Sequence, residues 1–411
     1  MSRLGTVKTR GLVLTEHEFS VPLDHSRPGK TISVFAREVC DPDGLDRPYL
    51  VFFQGGPGYE ADRPTRHPSS PGWLDRALKD FRVLMLDQRG TGRSTPVGNL
   101  VGITPHQQAD YLKHFRADSI VRDAEWIRRE LGIDRWSILG QSFGGFCAMT
   151  YLSIASEGLR EVIITGGLAP VGRHTDDVYA ATYRRVMDRN RLYYERYPED
   201  REQVIALQDA LSETDIRLPN GDRLTGRMFR QLGQMLGMSD GAEHLHYIIE
   251  LPRNSPAFLH DIAARLPFSR NPLYAIIHEA CYADGCSTRW SAERTLPGEF
   301  SDSDLFTGEH VYSWMFEDYG ALAPLRDAAQ LLAAFEWPNL YNASALRVND
   351  VPVAAAIYVN DMYVEREFSE DTARLIRGLR PWITSEYDHN GLRADGEQVL
   401  SHLLDLVRSP A

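Results

Sequence analysis

Short apolar runs alternate with amphipathic segments in the first part of the chain. Residues 48–53 (PYLVFF) and 81–86 (FRVLML) are largely apolar, and each run stops at a polar, glycine-containing stretch. Runs of this kind indicate strands that are buried on both faces of a sheet. Between residues 119 and 132, apolar side chains recur at helical spacing, and WSIL at 136–139 is another short apolar run. Strands that alternate with helices predict a parallel sheet.

The pattern changes at the start and in the middle of the chain. Residues 16–25 and 30–39 alternate or cluster apolar side chains around the turn sequence SRPGK, which predicts antiparallel strands. After Pro170 a long segment is helical in character and strongly charged, and the strand and helix pattern returns at residues 351–361. The chain ends in an amphipathic helical pattern at 395–408.

These patterns predict an α/β catalytic domain formed by residues 1–170 and 346–411. Residues 171–345 are predicted to form a large, mainly helical cap inserted into that domain. With 411 residues, the chain is long enough for one large domain with an insertion or for two domains.

Composition and charge narrow the classes of protein. A net charge of -12 argues against a nucleic-acid surface. The N-terminal residues have no apolar segment of the kind found in secretory signals, and the longest apolar run, at 351–359, is less than half of a membrane span. We therefore expect a cytoplasmic protein without a nucleic-acid or membrane partner.

The cysteines give no sign of a metal centre. Cys40, Cys147, Cys281 and Cys286 are scattered along the chain without a CxxC pair. We expect free thiols, with a Cys281–Cys286 disulfide as the alternative, and we expect neither a metal nor a cofactor.

Residues 140–144, GQSFG, match the pattern G-x-S-x-G between a predicted strand and a predicted helix. In that context the pattern is typical of a tight, strained turn that exposes a nucleophilic serine. The alternative is a glycine-rich loop with a structural serine. We predict that Ser142 is the nucleophile.

A serine hydroxyl needs a base and an orienting acid, which follow it in the chain in this type of sheet. Asp361 and His389 each follow a predicted strand, where sites in open α/β sheets collect. The competing acids are Asp350, which precedes its strand, and Asp388, which adjoins the histidine. The competing histidines, His278 and His310, lie in the insertion.

Residues 54–58, QGGPG, follow an earlier predicted strand. The glycines allow backbone N–H groups to approach a developing negative charge, so Gly55 and Gly56 are candidates for an oxyanion hole. The N–H of Phe143, directly after the nucleophile, is the other candidate donor. The alternative is an ordinary Pro-Gly turn.

At these spacings, QGGPG, DQRGTGRS (87–94) and GQSFGG (140–145) resemble the proline iminopeptidases (prolyl aminopeptidases), a family of α/β-hydrolase serine peptidases. The resemblance extends to VNDMYVE (359–365) and SEYDHNGLR (385–393), and the long cap is similar to that of the larger subgroup. It implies an α/β-hydrolase fold and release of an N-terminal proline from small peptides. Many relatives have histidine where this chain has Gln54, a departure that leaves the backbone donors in place.

The resemblance also implies acidic side chains in the cap that hold the protonated amine of the substrate. Glu279 in IIHEACYADG and Glu309 in TGEHVYSWMFED are the candidates, because each lies among aromatic residues that suit a small cationic ring. The alternative is that both glutamates are ordinary surface charges. The aromatic candidates for the pocket are Tyr282, Trp290, Tyr312, Trp314 and Phe316.

Two other functions compete with the peptidase. A carboxylesterase or lipase would use the same scaffold and the same catalytic residues. An inactive α/β hydrolase that serves as a binding module is disfavoured by the complete set of Ser142, Asp361 and His389. The sequence also predicts an internal ion pair between Asp87 and Arg89, and it leaves the oligomeric state open.

Overall fold

A computed structural model describes residues 2–27, 29–98, 100–301 and 304–409. Nine of its strands form one sheet, and β5 and β6 form a separate two-stranded hairpin. The strands are β1 (Ser2–Thr9), β2 (Leu12–Pro22), β3 (Thr31–Cys40), β4 (Tyr49–Phe53), β5 (Thr65–Arg66), β6 (Ser69–Ser70), β7 (Arg82–Leu86), β8 (Trp136–Gln141), β9 (Leu159–Thr165), β10 (Val353–Tyr358) and β11 (Leu379–Thr384).

The large sheet has the order β1-β2-β3-β7-β4-β8-β9-β10-β11. Strands β1, β2, β3 and β7 pair in an antiparallel manner, and every pair from β7 to β11 is parallel. The antiparallel start and the mainly parallel sheet predicted from the sequence are therefore confirmed.

The helices lie on both faces of the sheet and, between β9 and β10, in one long insertion. Those outside the insertion are α1 (Leu74–Asp80), α2 (Pro105–Leu112), α3 (Ala117–Glu130), α4 (Phe143–Ile154), α15 (Arg366–Leu375), α16 (Gly391–Ala394) and α17 (Gly396–Arg408). Those in the insertion are α5 (Thr175–Arg196), α6 (Glu199–Glu213), α7 (Gly226–Arg230), α8 (Gly241–Ile249), α9 (Pro256–Arg265), α10 (Pro272–Ile277), α11 (Ser291–Arg294), α12 (Met315–Asp318), α13 (Arg326–Ala333) and α14 (Ala343–Arg347).

Burial on both faces explains why the central strands read as continuous apolar runs. In β4, Val51 and Phe53 belong to a cluster on the face that carries α3 and α4, whereas Leu50 and Phe52 belong to a cluster with α1 and α17. Neighbouring side chains of a strand point to opposite faces, so both must be apolar here. Among the described residues, no helix combines the length and the apolar character that crossing a membrane requires.

The insertion contacts the loops that follow the carboxyl ends of three sheet strands. Asn271 donates a hydrogen bond to the carbonyl of Gly58 after β4 (3.0 Å), and the N–H of His389 after β11 donates to the carbonyl of Gly237 (3.2 Å). Tyr363, after β10, donates its hydroxyl to the carbonyl of Gln234. These contacts bring the insertion to the edge where the candidate catalytic residues lie. That residues 171–345 form a separate cap domain stays a prediction.

The predicted ion pair between Asp87 and Arg89 is wrong. Asp87 accepts two hydrogen bonds from Arg63, and the guanidinium of Arg89 binds Asp123 of α3 (Nε to Oδ2, 2.6 Å). Arg89 is buried and also donates to the backbone carbonyls of residues 22, 23 and 114. Arg89 therefore links the end of β2, the segment before α3, and α3 itself, and it does not form an ion pair within its own loop. The cysteines are free thiols, as expected.

Candidate active site

Ser142 lies in a sharp turn between β8 and α4. Its backbone has φ 54° and ψ -121°, a conformation that L-residues rarely adopt. The glycines on either side are required by close approaches. A Cβ at Gly144 would lie 1.9 Å from the carbonyl oxygen of Phe53, and one at Gly140 would lie 2.4 Å from the carbonyl oxygen of Gly144. The sequence pattern around Ser142 therefore follows from packing as well as from strain.

This packing predicts a cost for a side chain in the turn. Gly144→Ala is expected to lower the free energy of unfolding by about 1–3 kcal/mol, because the methyl group must displace the backbone of β4. Gly72→Ala is the matched control, since a Cβ there meets no atom within 4 Å. Chemical denaturation of both variants measures the difference. Equal stability would contradict the close contact at Gly144.

Three side chains at this edge form a hydrogen-bonded chain. The Oγ of Ser142 is 2.8 Å from Nε2 of His389, and Nδ1 of His389 is 2.7 Å from Oδ2 of Asp361. The other carboxylate oxygen of Asp361 accepts the N–H groups of Tyr363 (2.8 Å) and Val364 (3.0 Å). A serine hydroxyl held by an imidazole that a carboxylate orients is the arrangement that nucleophilic catalysis by serine requires.

The residues around His389 shift the pKa of its imidazole, which is the candidate proton acceptor. Burial acts to lower the pKa of His389, but the charge and hydrogen bond of Asp361, together with the charge of Glu309, outweigh burial and raise it. The ring of Tyr363 packs edge-on against the imidazole at 4.7 Å between centroids. Ser142 and His389 retain 9% and 8% exposure, and Asp361 retains 2%. The serine and the histidine thus keep a small solvent exposure, while the acid is covered.

The glycine loop after β4 lies directly against Ser142. A Cβ at Gly55 would be 3.1 Å from Cβ of Ser142, and Gly56 has a φ of 123°. The N–H of Gly55 donates to Oε1 of Gln54 at 2.9 Å. Phe143 begins α4, so its N–H belongs to the first turn, where N–H groups lack partners within the helix. The glycine loop and the start of α4 therefore lie next to the serine, and the Gly55 N–H is bound by Gln54.

Glu309 lies within the electrostatic reach of the hydrogen-bonded chain. Tyr274 donates its hydroxyl to Oε1 of Glu309 at 2.7 Å, and Nε2 of His278 is 3.7 Å from Oε2. Burial acts to raise the pKa of Glu309, but His278, Tyr274 and the charge on His389 outweigh it and lower the pKa. The side chain keeps 21% exposure. Glu309 is therefore a carboxylate that favours its ionised form and whose charge acts on His389.

Glu279 is more deeply buried and is partly engaged. One carboxylate oxygen accepts the N–H of Ala292 at 2.8 Å, whereas Oε2 has no hydrogen-bond partner among the described residues. Burial raises the pKa of Glu279, and the hydrogen bond from Ala292 only partly opposes the shift. Its charge acts on Tyr179 and Tyr183 of α5. Glu279 therefore borders the inner, aromatic part of the insertion.

The five aromatic candidates separate into different environments. Tyr282 packs against Phe146 of α4 and donates its hydroxyl to the carbonyl of Tyr363 (3.3 Å), which places it beside the hydrogen-bonded chain. The hydroxyl groups of Tyr312 and Tyr183 share a hydrogen bond. The ring of Tyr312 stacks on the ring of Trp314, with 5.5 Å between centroids, and the guanidinium of Arg227 lies 4.6 Å from the ring centroid of Trp314. The rings of Trp290 and Phe316 pack against each other at 5.7 Å between centroids.

The geometry also brings forward residues that the sequence did not single out as binding groups. His278 entered the sequence analysis only as a competing base, and Tyr274 and Tyr363 did not enter it. His278 directly precedes Glu279, but its contact is with Glu309, which lies in a later segment. Asp388, the competing acid, is paired with Arg189 of α5.

Comparison with known proteins identifies the fold and the family of this chain. Residues 48–275 match the family model described as the α/β hydrolase fold, so the predicted fold class is confirmed. The match covers more than half of the chain, and it includes β4, β7, β8 and the serine turn.

Two curated relatives align over nearly their full lengths. A proline iminopeptidase from Aeromonas sobria is 49% identical over 97% of this chain and 97% of its own. A proline iminopeptidase from Aspergillus aculeatus is 35% identical over 95% of this chain and 93% of its own. Among solved structures, a 2-hydroxy-6-oxo-6-phenylhexa-2,4-dienoate hydrolase from Rhodococcus sp. strain RHA1 aligns with a TM-score of 0.45 and 13% identity over 96% of this chain and 100% of its own.

Proposed function

Because this chain belongs to the proline iminopeptidase family of α/β hydrolases, we propose that it releases the N-terminal proline of peptides through a triad of Ser142, His389 and Asp361. It is a prolyl aminopeptidase, a hydrolase. The observation that carries the proposed mechanism is the chain of contacts from Ser142 Oγ to His389 Nε2 (2.8 Å) and from His389 Nδ1 to Asp361 Oδ2 (2.7 Å).

In this mechanism, Ser142 Oγ attacks the carbonyl carbon of the N-terminal prolyl residue. His389 takes the serine proton at Nε2 and delivers it to the nitrogen of the departing peptide when the C–N bond breaks. Asp361 holds the Nδ1–H of His389 and stabilises the imidazolium that forms. Water, activated by the same histidine, then hydrolyses the prolyl ester on Ser142 and regenerates the hydroxyl.

The negative charge that develops on the carbonyl oxygen needs donors beside Ser142. We assign this role to the N–H of Phe143 and to the backbone of Gly55 and Gly56. In the free enzyme, Gln54 already accepts the N–H of Gly55 at 2.9 Å. Substrate binding must therefore shift the Gln54 side chain if Gly55 is to donate to the oxyanion.

Recognition of a free N-terminus requires a negative charge near the prolyl nitrogen, because a desolvated cation needs a partner. We assign that role to Glu309 and Glu279. The support for Glu309 is its lowered pKa and its electrostatic interaction with His389, and the support for Glu279 is its buried Oε2 without a hydrogen-bond partner among the described residues. Tyr282 is the aromatic candidate with direct contacts to α4 and to Tyr363.

A substrate panel tests this function against the esterase alternative. Wild-type enzyme and Ser142→Ala are assayed on aminoacyl-arylamides that differ in the N-terminal residue, and on simple neutral esters. We expect the prolyl arylamide to have the highest kcat/KM among the arylamides, and Ser142→Ala to lose turnover of every substrate. Efficient ester hydrolysis without preference for N-terminal proline would support the esterase instead.

A further inference from the structure

One arginine of the insertion bridges the loops that carry the candidate acid and the candidate base. The Nη2 group of Arg189, in α5, donates a hydrogen bond to the backbone carbonyl of Asn360 (2.8 Å). The same Nη2 group also donates to Oδ1 of Asp388. Asn360 directly precedes the candidate acid, Asp361. Asp388 directly precedes the candidate base, His389. The arginine therefore holds together the two residues that adjoin the acid and the base.

The chemistry of the guanidinium suits a bridge of this kind. Each terminal amino group carries two hydrogens, so one Nη2 can donate to a carbonyl and to a carboxylate at the same time. The side chains of Arg189 and Asp388 keep 17% and 19% exposure, so most of their contact is covered. A covered, charge-assisted hydrogen bond holds its partners more firmly than an exposed ion pair does. The contact therefore restricts how far the two loops can move apart.

The loop around His389 also takes its backbone partners from the insertion. The N–H of His389 donates to the carbonyl of Gly237 (3.2 Å), and the N–H of Asp388 donates to Oγ of Ser239 (3.2 Å). Ser239 in turn donates its N–H and its hydroxyl to Oδ1 of Asn390, at 2.9 Å each. Three successive residues are thus attached to the insertion, and the bridge from α5 extends this attachment to the loop of the acid.

The distance between these two loops bears directly on the orientation of the base. Nδ1 of His389 is 2.7 Å from Oδ2 of Asp361, although the two residues follow different strands, β11 and β10. The N–H groups that hold the other oxygen of Asp361 come from its own loop, so they do not fix the position of the histidine. A misplacement of about 1 Å in a catalytic site can lower the rate by about 100-fold. A contact that joins both loops can therefore affect catalysis without touching the reacting atoms.

We propose that Arg189 is a positioning residue for the triad: by bridging the residues that precede Asp361 and His389, it fixes the distance between the acid and the base, so that the insertion takes part in assembling the catalytic site. The inference rests on the proposed function, because it assumes that the proposed triad carries out the reaction. It extends that function by giving the insertion a role in the catalytic step in addition to substrate recognition.

Two other arginines of α5 provide matched controls. Arg185, one helical turn before Arg189, binds the carboxylate of Glu365 with two hydrogen bonds (2.8 and 2.6 Å). It therefore also attaches α5 to the segment after β10, but among the described residues it makes no hydrogen bond to the loop of the base. Arg191 is exposed and pairs with Glu195 of the same helix. Arg185 thus separates anchoring of the helix from bridging, and Arg191 controls for loss of a positive charge.

The test compares Arg189→Ala with Arg185→Ala and Arg191→Ala on a prolyl arylamide and on a small neutral ester. We expect Arg189→Ala to lower kcat for both substrates by about 10- to 100-fold with little change in KM, because both reactions use the same acid and base. The two control variants should stay close to wild type. An equal loss of kcat in Arg185→Ala would show that anchoring of the helix is what matters, and it would overturn the inference.

A double-mutant cycle shows whether the effect passes through the acid. In Asp361→Asn, the orientation of His389 is already impaired, so adding Arg189→Ala should lower kcat little further. Asp388→Ala removes the bridge from its other end and should reproduce the loss, which gives an independent check if Arg189→Ala does not fold. Denaturation curves verify the fold of each variant.

Two results would count against the inference. One is wild-type kcat in folded Arg189→Ala or Asp388→Ala, and the other is a full additional loss of kcat when Arg189→Ala is combined with Asp361→Asn. Wild-type kcat in Asp361→Asn itself would instead overturn the proposed triad, so the two failures can be told apart.

Discussion

Replacement of Ser142 by alanine is expected to lower kcat for a prolyl arylamide by roughly five orders of magnitude. The variant removes the oxygen that forms the ester, and nothing else in the turn replaces it. Alanine tolerates the backbone conformation at φ 54° no worse than serine does, so the fold should persist. Single-turnover kinetics, with denaturation curves to verify the fold, measure the effect.

The partners of Ser142 should behave as one unit with it. His389→Ala should approach the same loss, and the double variant with Ser142→Ala should lose little more. Asp361→Asn keeps the shape of the side chain but permits the wrong tautomer of His389, so we expect a loss of about 10⁴ in kcat. It also removes the charge that raises the pKa of His389. Near wild-type activity of His389→Ala would assign the base to another histidine, with His278 and His310 of the insertion tested next.

The candidate triad could be proposed from the sequence because its geometry depends on local rules. Ser142, Asp361 and His389 each follow a strand of a parallel sheet, and the carboxyl ends of such strands share one edge. The strands before Ser142 and Asp361 are apolar runs because helices cover both faces of the sheet there, whereas the edge strand before His389 is partly exposed. The position of each residue after a strand therefore predicts that Ser142, Asp361 and His389, which are distant in sequence, lie close together.

Side-chain partners within loops did not follow from chain position. Asp87 and Arg89 are two residues apart, yet Asp87 binds Arg63 and Arg89 binds Asp123. The direction of each side chain depends on the path of the loop after β7, which glycines at 90 and 92, both with positive φ, turn sharply. Opposite charges close in sequence are consequently weak evidence for an ion pair.

The environment of Glu309 was predictable only in part. Its aromatic neighbours in sequence suggested a binding pocket, but Trp314 stacks with Tyr312 and Arg227, whereas the groups that touch the carboxylate are Tyr274 and His278. These two residues precede Glu309 by about 30 positions, in a different part of an insertion without a regular strand order. Contacts of this kind depend on how short helices pack, which periodicity does not determine.

Glu309→Gln is expected to weaken kcat/KM for a prolyl arylamide by about 2–5 kcal/mol, or roughly 30-fold to several thousand-fold. Glutamine keeps the shape of the side chain and can still accept the hydrogen bond from Tyr274, but it has no charge for the prolyl nitrogen. Glu279→Gln should have a smaller effect in the same direction, because one of its oxygens is already held by the N–H of Ala292. Initial rates across substrate concentration measure both variants.

Removing the positive charge from the substrate tests the same interaction as removing the negative charge from Glu309. N-acetylation deletes the positive charge, so the acetylated prolyl arylamide should be as poor a substrate for wild type as the free one is for Glu309→Gln, and combining the two changes should add little. A small neutral ester should lose far less in Glu309→Gln, because Ser142, His389 and the backbone donors are unaltered. Glu299→Gln, an exposed glutamate of the insertion, is the control for a general effect of charge and should match wild type. If Glu309→Gln retained full preference for the free amine over the acetylated one, the prolyl nitrogen would be recognised elsewhere, and Glu279 would be the first carboxylate to test.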